Sequence, residues 1–148
     1  MSATTRPSGP SCPGDNRFNV TTEYVELLRR IYASRTLAEF GEALHPDAVF
    51  NQDPSVPDTD DYYGRDEMLR GIELWLEEWE KFRWIPEVMT DLGERVFMHV
   101  RLIGRAKGSG IELNNVIYHL WTFKDGMPWR CEAFFDEAQA LEAVRSVG

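Results

Sequence analysis

Three successive runs of alternating hydrophobicity, residues 95–106, 111–124 and 127–135, constrain this chain more than any other feature. Lys107-Gly108-Ser109-Gly110 and Asp125-Gly126 separate them, and Gly and Asp reach the positive-φ conformations that tight reversals require. In the first run Val96, Met98, Val100 and Leu102 oppose Phe97, His99, Arg101 and Ile103. In the second, Asn115, Ile117, His119, Trp121 and Phe123 oppose Asn114, Val116, Tyr118, Leu120 and Thr122. In the third, Cys131, Ala133 and Phe135 oppose Arg130, Glu132 and Phe134. A period of two marks half-buried strands, so the region predicts an antiparallel meander with two differently built faces.

Upstream, the spacing changes to that of helices. Val25, Leu28, Ile31 and Tyr32 give an apolar stripe over 21–34, which Thr21 or Thr22 can cap. Leu37, Phe40 and Leu44 predict a short helix over 36–44, stopped by His45-Pro46. Residues 48–52 predict a short strand, followed by an acidic, proline-containing loop over 53–64. Met68, Leu69, Ile72, Trp75, Leu76 and Trp79 predict an amphipathic helix over 64–81. A strand over 82–92 then leads into the meander, and a helix over 137–147 closes the chain, with Ala140, Leu141 and Val144 expected inward. Helices gathered against an antiparallel sheet make an α+β fold.

A chain of 148 residues has room for one core, and residues 1–19, rich in Ser, Thr, Pro and Gly, read as a disordered leader before one domain over 20–148. The net charge of −9 repels phosphate backbones, which argues against nucleic-acid and anionic-membrane partners. No long apolar run or secretory signal is present, so the cytoplasm is the expected location. Cys12 and Cys131 suggest no disulfide framework, and no Cys/His spacing suggests zinc. The acids Asp58, Asp60 and Asp61 lack the glycine and terminal glutamate of a calcium loop, so no metal and no cofactor is expected.

Several motifs fall in a familiar order: Tyr32; Leu44-His45-Pro46-Asp47-Ala48-Val49-Phe50; Tyr63-Gly64-Arg65 opening a helix; Gly104-Arg105 before Gly108-Ser109-Gly110; and His119-Leu120-Trp121-Thr122-Phe123-Lys124-Asp125-Gly126. Together they resemble the SnoaL-like branch of the nuclear transport factor 2-like superfamily, over about residues 22–147. The resemblance implies a curved sheet wrapped round a long helix, a cone-shaped apolar pocket and a homodimer. It does not fix an activity, because the superfamily holds ketosteroid isomerases, polyketide cyclases, epoxide hydrolases, dehydratases and members without known catalysis.

His119 is the first candidate for chemistry. Its parity sets an imidazole among Ile117, Trp121 and Phe123, and by motif position it matches the protonated aspartic acid of the ketosteroid isomerases. Such a histidine can donate a hydrogen bond or shuttle a proton near neutral pH, although a structural histidine is the blander alternative. Asp53 is the second, a strand-end carboxylate before Pro54 that resembles the isomerase base. The interval from Asp47 to Asp53 is one residue longer than the pattern, which puts Gln52 where the base is expected. A one-residue slip reverses side-chain direction, so either residue could face the pocket. Asn115, on the parity of His119, is a candidate to orient a carbonyl or water. Tyr32 is a further donor, while Ile31 sits where the isomerases place their oxyanion tyrosine. Met98, Val100, Trp121, Cys131 and Trp75 are the expected pocket wall.

Limonene-type epoxide hydrolases and SnoaL-type cyclases need inward acids on the long strands, and here Ala133 takes one such position while Glu132 has the opposite parity. Two readings follow. One is a cofactor-independent acid–base enzyme, of isomerase, cyclase or dehydratase type, acting on an apolar small molecule. The other is a non-catalytic module of the same fold that binds a small ligand or partner. The outer sheet face, with Phe97, His99, Arg101, Ile103, Val116, Tyr118, Leu120, Arg130, Glu132 and Phe134, has no expected cover and reads as a homodimer surface.

Overall fold

Cross-strand register turns the alternation of the meander into two faces. In the computed structural model, which describes residues 15–56 and 60–146, strands β4 (Arg95–Ala106) and β5 (Glu112–Lys124) pair antiparallel, with Val96 opposite Trp121, Met98 opposite His119 and Val100 opposite Ile117. Strand β6 (Met127–Phe134) extends the same face, setting Cys131 opposite Trp121 and Ala133 opposite His119. Asp125 and Gly126 both have positive φ, 55° and 76°, the conformation a two-residue hairpin turn requires.

The remaining elements complete the sheet and cover it. They are α1 (Asp15–Tyr32), α2 (Leu37–Glu42), β1 (Val49–Asn51), β2 (Tyr62–Tyr63), α3 (Arg65–Leu76), β3 (Trp79–Asp91) and α4 (Glu137–Arg145). The sheet has six strands in the order β2-β1-β6-β5-β4-β3, with β1 parallel to β6 and the other pairs antiparallel. Leu28 and Ile31 of α1, Met68 of α3, and Leu44 just after α2 pack on the concave face against Val96, Met98, Val100 and Trp121, forming the main core. The fold is therefore α+β, with an open curved sheet as expected.

Bends in the edge strand shape the cone. The register of β3 on β4 shifts between Glu80 and Arg83 and again between Pro86 and Val88. Lys81 takes a left-handed φ of 55° at the first shift. Pro86, which has no N–H to donate, is tolerated because β3 is an edge strand. Bulges add twist and bend a strand, so β3 leaves the flat of the sheet and leaves room beneath it.

Four expectations change. Helix α1 begins at Asp15, inside the stretch read as leader: Pro13 and Gly14 are the last helix breakers before it, so the helix extends further back than Thr21. Residues 1–14, Cys12 among them, lie outside the described residues. Helix α3 ends at Leu76 rather than at 81, and Trp79 pairs with Ala106 in β3. Its ring still meets Trp75, at 5.3 Å between centroids, so the helical spacing of the two indoles is satisfied across a helix–strand junction. Residues Tyr62–Tyr63 form a strand inside the expected loop. Finally, α4 covers part of the outer face, where Ala140 packs on Phe97, Leu120 and Phe134. Arg95 fastens it by donating to the carbonyls of Ala143 (3.4 Å) and Val144 (2.8 Å), while Leu141 stays exposed. The charges of that face pair within the chain: Arg101 with Glu87 (2.7 Å), Arg130 with Glu132 (3.6 Å) and His99 with Glu137 (3.9 Å). Among the described residues, no helix is long and apolar enough to cross a membrane.

Close approach of α3 to β2 sets one wall of the concave side. A Cβ added at Gly71 would lie 2.5 Å from the Tyr62 ring, which is itself stacked on Phe50 at 6.3 Å. Ala has the higher helix propensity, by about 1 kcal/mol, but overpacking against a held ring costs about 1–3 kcal/mol. Gly71→Ala is therefore expected to lower the urea midpoint; an unchanged or raised midpoint would show that α3 and β2 are not in this contact.

Candidate functional site

The bend of β3 and the curvature of the sheet leave a cavity of about 870 Å³ between the concave face, the end of α1, the turn after it, and α3. This volume lies in the range of small-molecule sites. Most of the lining is apolar, and Phe50, Phe82, Trp84, Leu102 and Ile117 contribute to it. Exposed lining residues such as Arg35, Trp75, Glu78 and Arg83 mark where it opens to solvent.

Three polar side chains on the inner wall are joined in a line. The Trp121 indole N–H donates to the Tyr32 hydroxyl at 2.8 Å, and that hydroxyl lies 2.6 Å from Nδ1 of His119. An indole nitrogen can only donate, so the Tyr32 oxygen accepts there and has its own proton left to give. Given to Nδ1, that proton leaves no group of the line unpaired, whereas an Nδ1–H would leave the hydroxyl proton without an acceptor among the described residues, so Nδ1 presents a lone pair. Burial pushes the His119 pKa down to about 4, so the ring is neutral at physiological pH. A neutral imidazole with a lone pair on Nδ1 carries its proton on Nε2. Among the described residues that N–H has no protein acceptor, and His119 is part of the cavity lining.

The neighbours are neutral too. Burial raises the Tyr32 phenol well above its ordinary range, reinforced by Cys131 and only partly opposed by the bond from Trp121. Burial, with Glu132 adding to it, likewise raises the Cys131 thiol, which argues against a reactive thiolate. The inner wall thus offers an uncharged N–H donor in an apolar, low-dielectric setting, where such a donor is worth more than in water.

Gln52, and not Asp53, lines the cavity. Asp53 is 1% exposed and both its oxygens are engaged: Oδ1 accepts from the N–H (2.8 Å) and hydroxyl (2.7 Å) of Ser55, and Oδ2 from the N–H of Phe135 (2.7 Å). Burial acts to raise its pKa, but the bonds from Phe135 and Ser55 outweigh it and hold the carboxyl below the usual range. Asp53 ties the turn after β1 to the end of β6, which is a structural task, and the general-base expectation is not carried by its position. Tyr32, Trp121, Cys131 and Trp75 do line the cavity as expected. Met98 and Val100 are outside its lining, fully buried in the core against α1 and α3. Asn115 has the right parity but is exposed and outside the lining, because β5 runs past the covered part of the sheet.

The sequence reading missed Phe50, Tyr62, Phe82 and the arginines of the opening; the period-two pattern of β1 was too short to aim Phe50. Among the described residues Glu78, at the opening, is the carboxylate of the lining, and no pair of inward acids is formed for water activation. Among the described residues, no three His, Cys, Asp or Glu side chains converge as a metal site.

A family model described as a SnoaL-like domain matches residues 23–130. A search of curated proteins returns no relative of the chain. Among solved structures, one described as a SnoaL-like polyketide cyclase, from Jannaschia sp. CCS1, superposes with a TM-score of 0.69 at 18% identity, covering 95% of this chain and 100% of that one. TerC co-crystallised with polyporic acid gives 0.65 at 18% identity, covering 86% and 99%. An NTF2-like protein from Burkholderia thailandensis gives 0.64 at 19% identity, covering 88% and 98%. At these identities the likeness is one of fold.

Neutrality of His119 has a consequence for stability. With an unfolded pKa near 6.5 and a folded one of about 4, the unfolded chain binds more protons between those values. This contribution is whole above pH 6.5 and is lost as pH falls toward 4, amounting to about 2 kcal/mol between pH 7 and pH 5. Urea unfolding at the two pH values is expected to show that loss in the native chain and a smaller one in His119→Phe. Equal losses in both, or an NMR midpoint for His119 near 6.5, would contradict a buried neutral ring.

Proposed function

The chain belongs to the SnoaL-like domain family, and within it we propose that this member binds an apolar small molecule in the cavity and polarises one of its oxygens through Nε2–H of His119. The observation that carries this reading is the line from Trp121 through Tyr32 to His119, which leaves a free donor on a largely apolar wall that Gln52 shares. A carbonyl oxygen placed against Nε2 would gain a hydrogen bond and acquire negative character. Because the ring stays neutral, it acts as a hydrogen-bond donor and not as a charged acid.

Small-ligand binding with polarisation is the reading the geometry favours. An isomerase, cyclase or dehydratase step is the second reading, and the same donor favours it, since an enolate forming on the bound oxygen would be stabilised by Nε2–H. That step needs a proton acceptor. With Asp53 engaged elsewhere, the acceptor would come from Glu78 at the opening, from water or from the ligand itself. Hydrolysis by paired carboxylates has no support from this lining. A homodimer belongs to the same proposal, through the part of the outer face beside Val88, Ile103 and Val116 that α4 leaves open.

An apolar aryl ketone, 2-acetylnaphthalene, is a suitable probe. Its bound carbonyl stretch is expected below its frequency in hexane in the native chain and near the hexane value in His119→Phe. Affinity should fall about fivefold, the worth of one net hydrogen bond of about 1 kcal/mol. Equal stretches in the two proteins would remove His119 from the role, and no binding to either would remove the cavity as a ligand site.

A further inference from the structure

The cavity opening carries charge of the opposite sign to the rest of the chain. The whole sequence has a net charge of −9, yet among the described residues the charged members of the lining are Arg29, Arg35 and Arg83 against Glu78. Several guanidinium groups away from the lining pair with acids: Arg70 with Glu73 (3.1 Å), Arg101 with Glu87 (2.7 Å), Arg105 with Glu112 (3.2 Å) and Arg130 with Glu132 (3.6 Å). Arg65 and Arg95 donate to backbone carbonyls. Among the described residues the guanidinium groups of Arg35 and Arg83 have no acceptor, which is true also of Arg30 and Arg145, but only Arg35 and Arg83 of these four belong to the cavity lining. Arg29 is held only by Glu26, at 3.5 Å, with both side chains more than half exposed, a weak pair.

These side chains border one opening. Helix α1 packs against β3, and Arg35 in the turn after α1 and Arg83 in β3 are both exposed members of the cavity lining. The Glu39 carboxylate lies near Arg35, but it accepts from the backbone N–H (2.9 Å) and not from the guanidinium, which stays available. Low-dielectric walls concentrate the field of charges at a mouth, which raises the local concentration of a counter-charged ligand. A guanidinium offers a planar fork that matches a carboxylate in two parallel hydrogen bonds.

We infer that the ligand is an apolar carboxylic acid, bound as its carboxylate at Arg35 and Arg83 with its hydrocarbon body in the cavity. This rests on the reading of the cavity as a ligand site and specifies the class of molecule it takes. The two ends of the site then divide the work: the arginines fix the anionic end at the mouth, and the apolar wall holds the body against His119. The pair acts in binding and takes no part in bond making.

Two fluorescent probes with the same body separate the terms: 1-pyrenebutyrate, which is anionic at neutral pH, and 1-pyrenebutanol, which is neutral. The butyrate is expected to bind the native chain at least about tenfold more tightly, a preference that shrinks as salt is raised. Arg35→Gln with Arg83→Gln should erase the preference and leave butanol affinity unchanged. Both positions are exposed, so neither change threatens folding. Arg30→Gln, an exposed arginine of α1 outside the lining, should leave the preference intact. Equal affinity for the two probes, or a preference that survives the double substitution, would overturn the carboxylate assignment while leaving the cavity a ligand site. Failure of both probes to bind would overturn the cavity reading and this inference with it.

Discussion

Two hydrogen bonds, from Trp121 to Tyr32 and from Tyr32 to His119, join the end of the first helix to the central strand of the sheet. Each group in this line would be costly to bury alone, and each is satisfied by the next. The line also fixes proton positions. The hydroxyl accepts from a donor-only indole and finds an acceptor for its own proton only at Nδ1 among the described residues, and burial keeps the imidazole neutral enough to take that bond. The donor that the inner wall offers is the proton left on Nε2.

The sheet supplies the setting. Pairing of Val96 with Trp121 and Met98 with His119 fills the deep part of the concave face, where Leu28 and Ile31 close over it. Beyond that plug, the bulges of β3 bend the edge strand, and the space that His119 borders lies between the sheet and the helices. The same curvature separates two kinds of polar residue. Asp53 is drawn into backbone bonds with Ser55 and Phe135 and helps close the fold, whereas Gln52 turns to the cavity. An interior lined by neutral groups, with charge confined to its opening, suits a ligand that is apolar along its length and polar at its ends.

Much of this was readable from residue order. Strand β4 lies at 95–106 as its alternation predicts, because twelve residues of clean period two leave no freedom of face, and Asp125-Gly126 dictates the turn that follows β5. His119 was identifiable for the same reason. Asp53 was not, since a three-residue strand before a proline does not determine which of two adjacent side chains points inward. Trp79 misled because its spacing from Trp75 suits a helix and the contact does form, but from a strand. Cover of the outer face by α4 depends on the path of the chain after Phe134, on which periodicity is silent. The bonding of Tyr32 to both Trp121 and His119 was beyond any local pattern, since 89 and 87 positions separate the partners.

The most direct measurement of the central claim is the nitrogen chemical shifts of the His119 ring at neutral pH, from a long-range proton–nitrogen spectrum of the labelled protein. A protonated Nε2 and a bare Nδ1, with that asymmetry weakened in Tyr32→Phe, is the result expected if the line of hydrogen bonds sets the tautomer. A bare Nε2 with the proton on Nδ1, or two protonated nitrogens, would contradict it and leave the cavity without its donor.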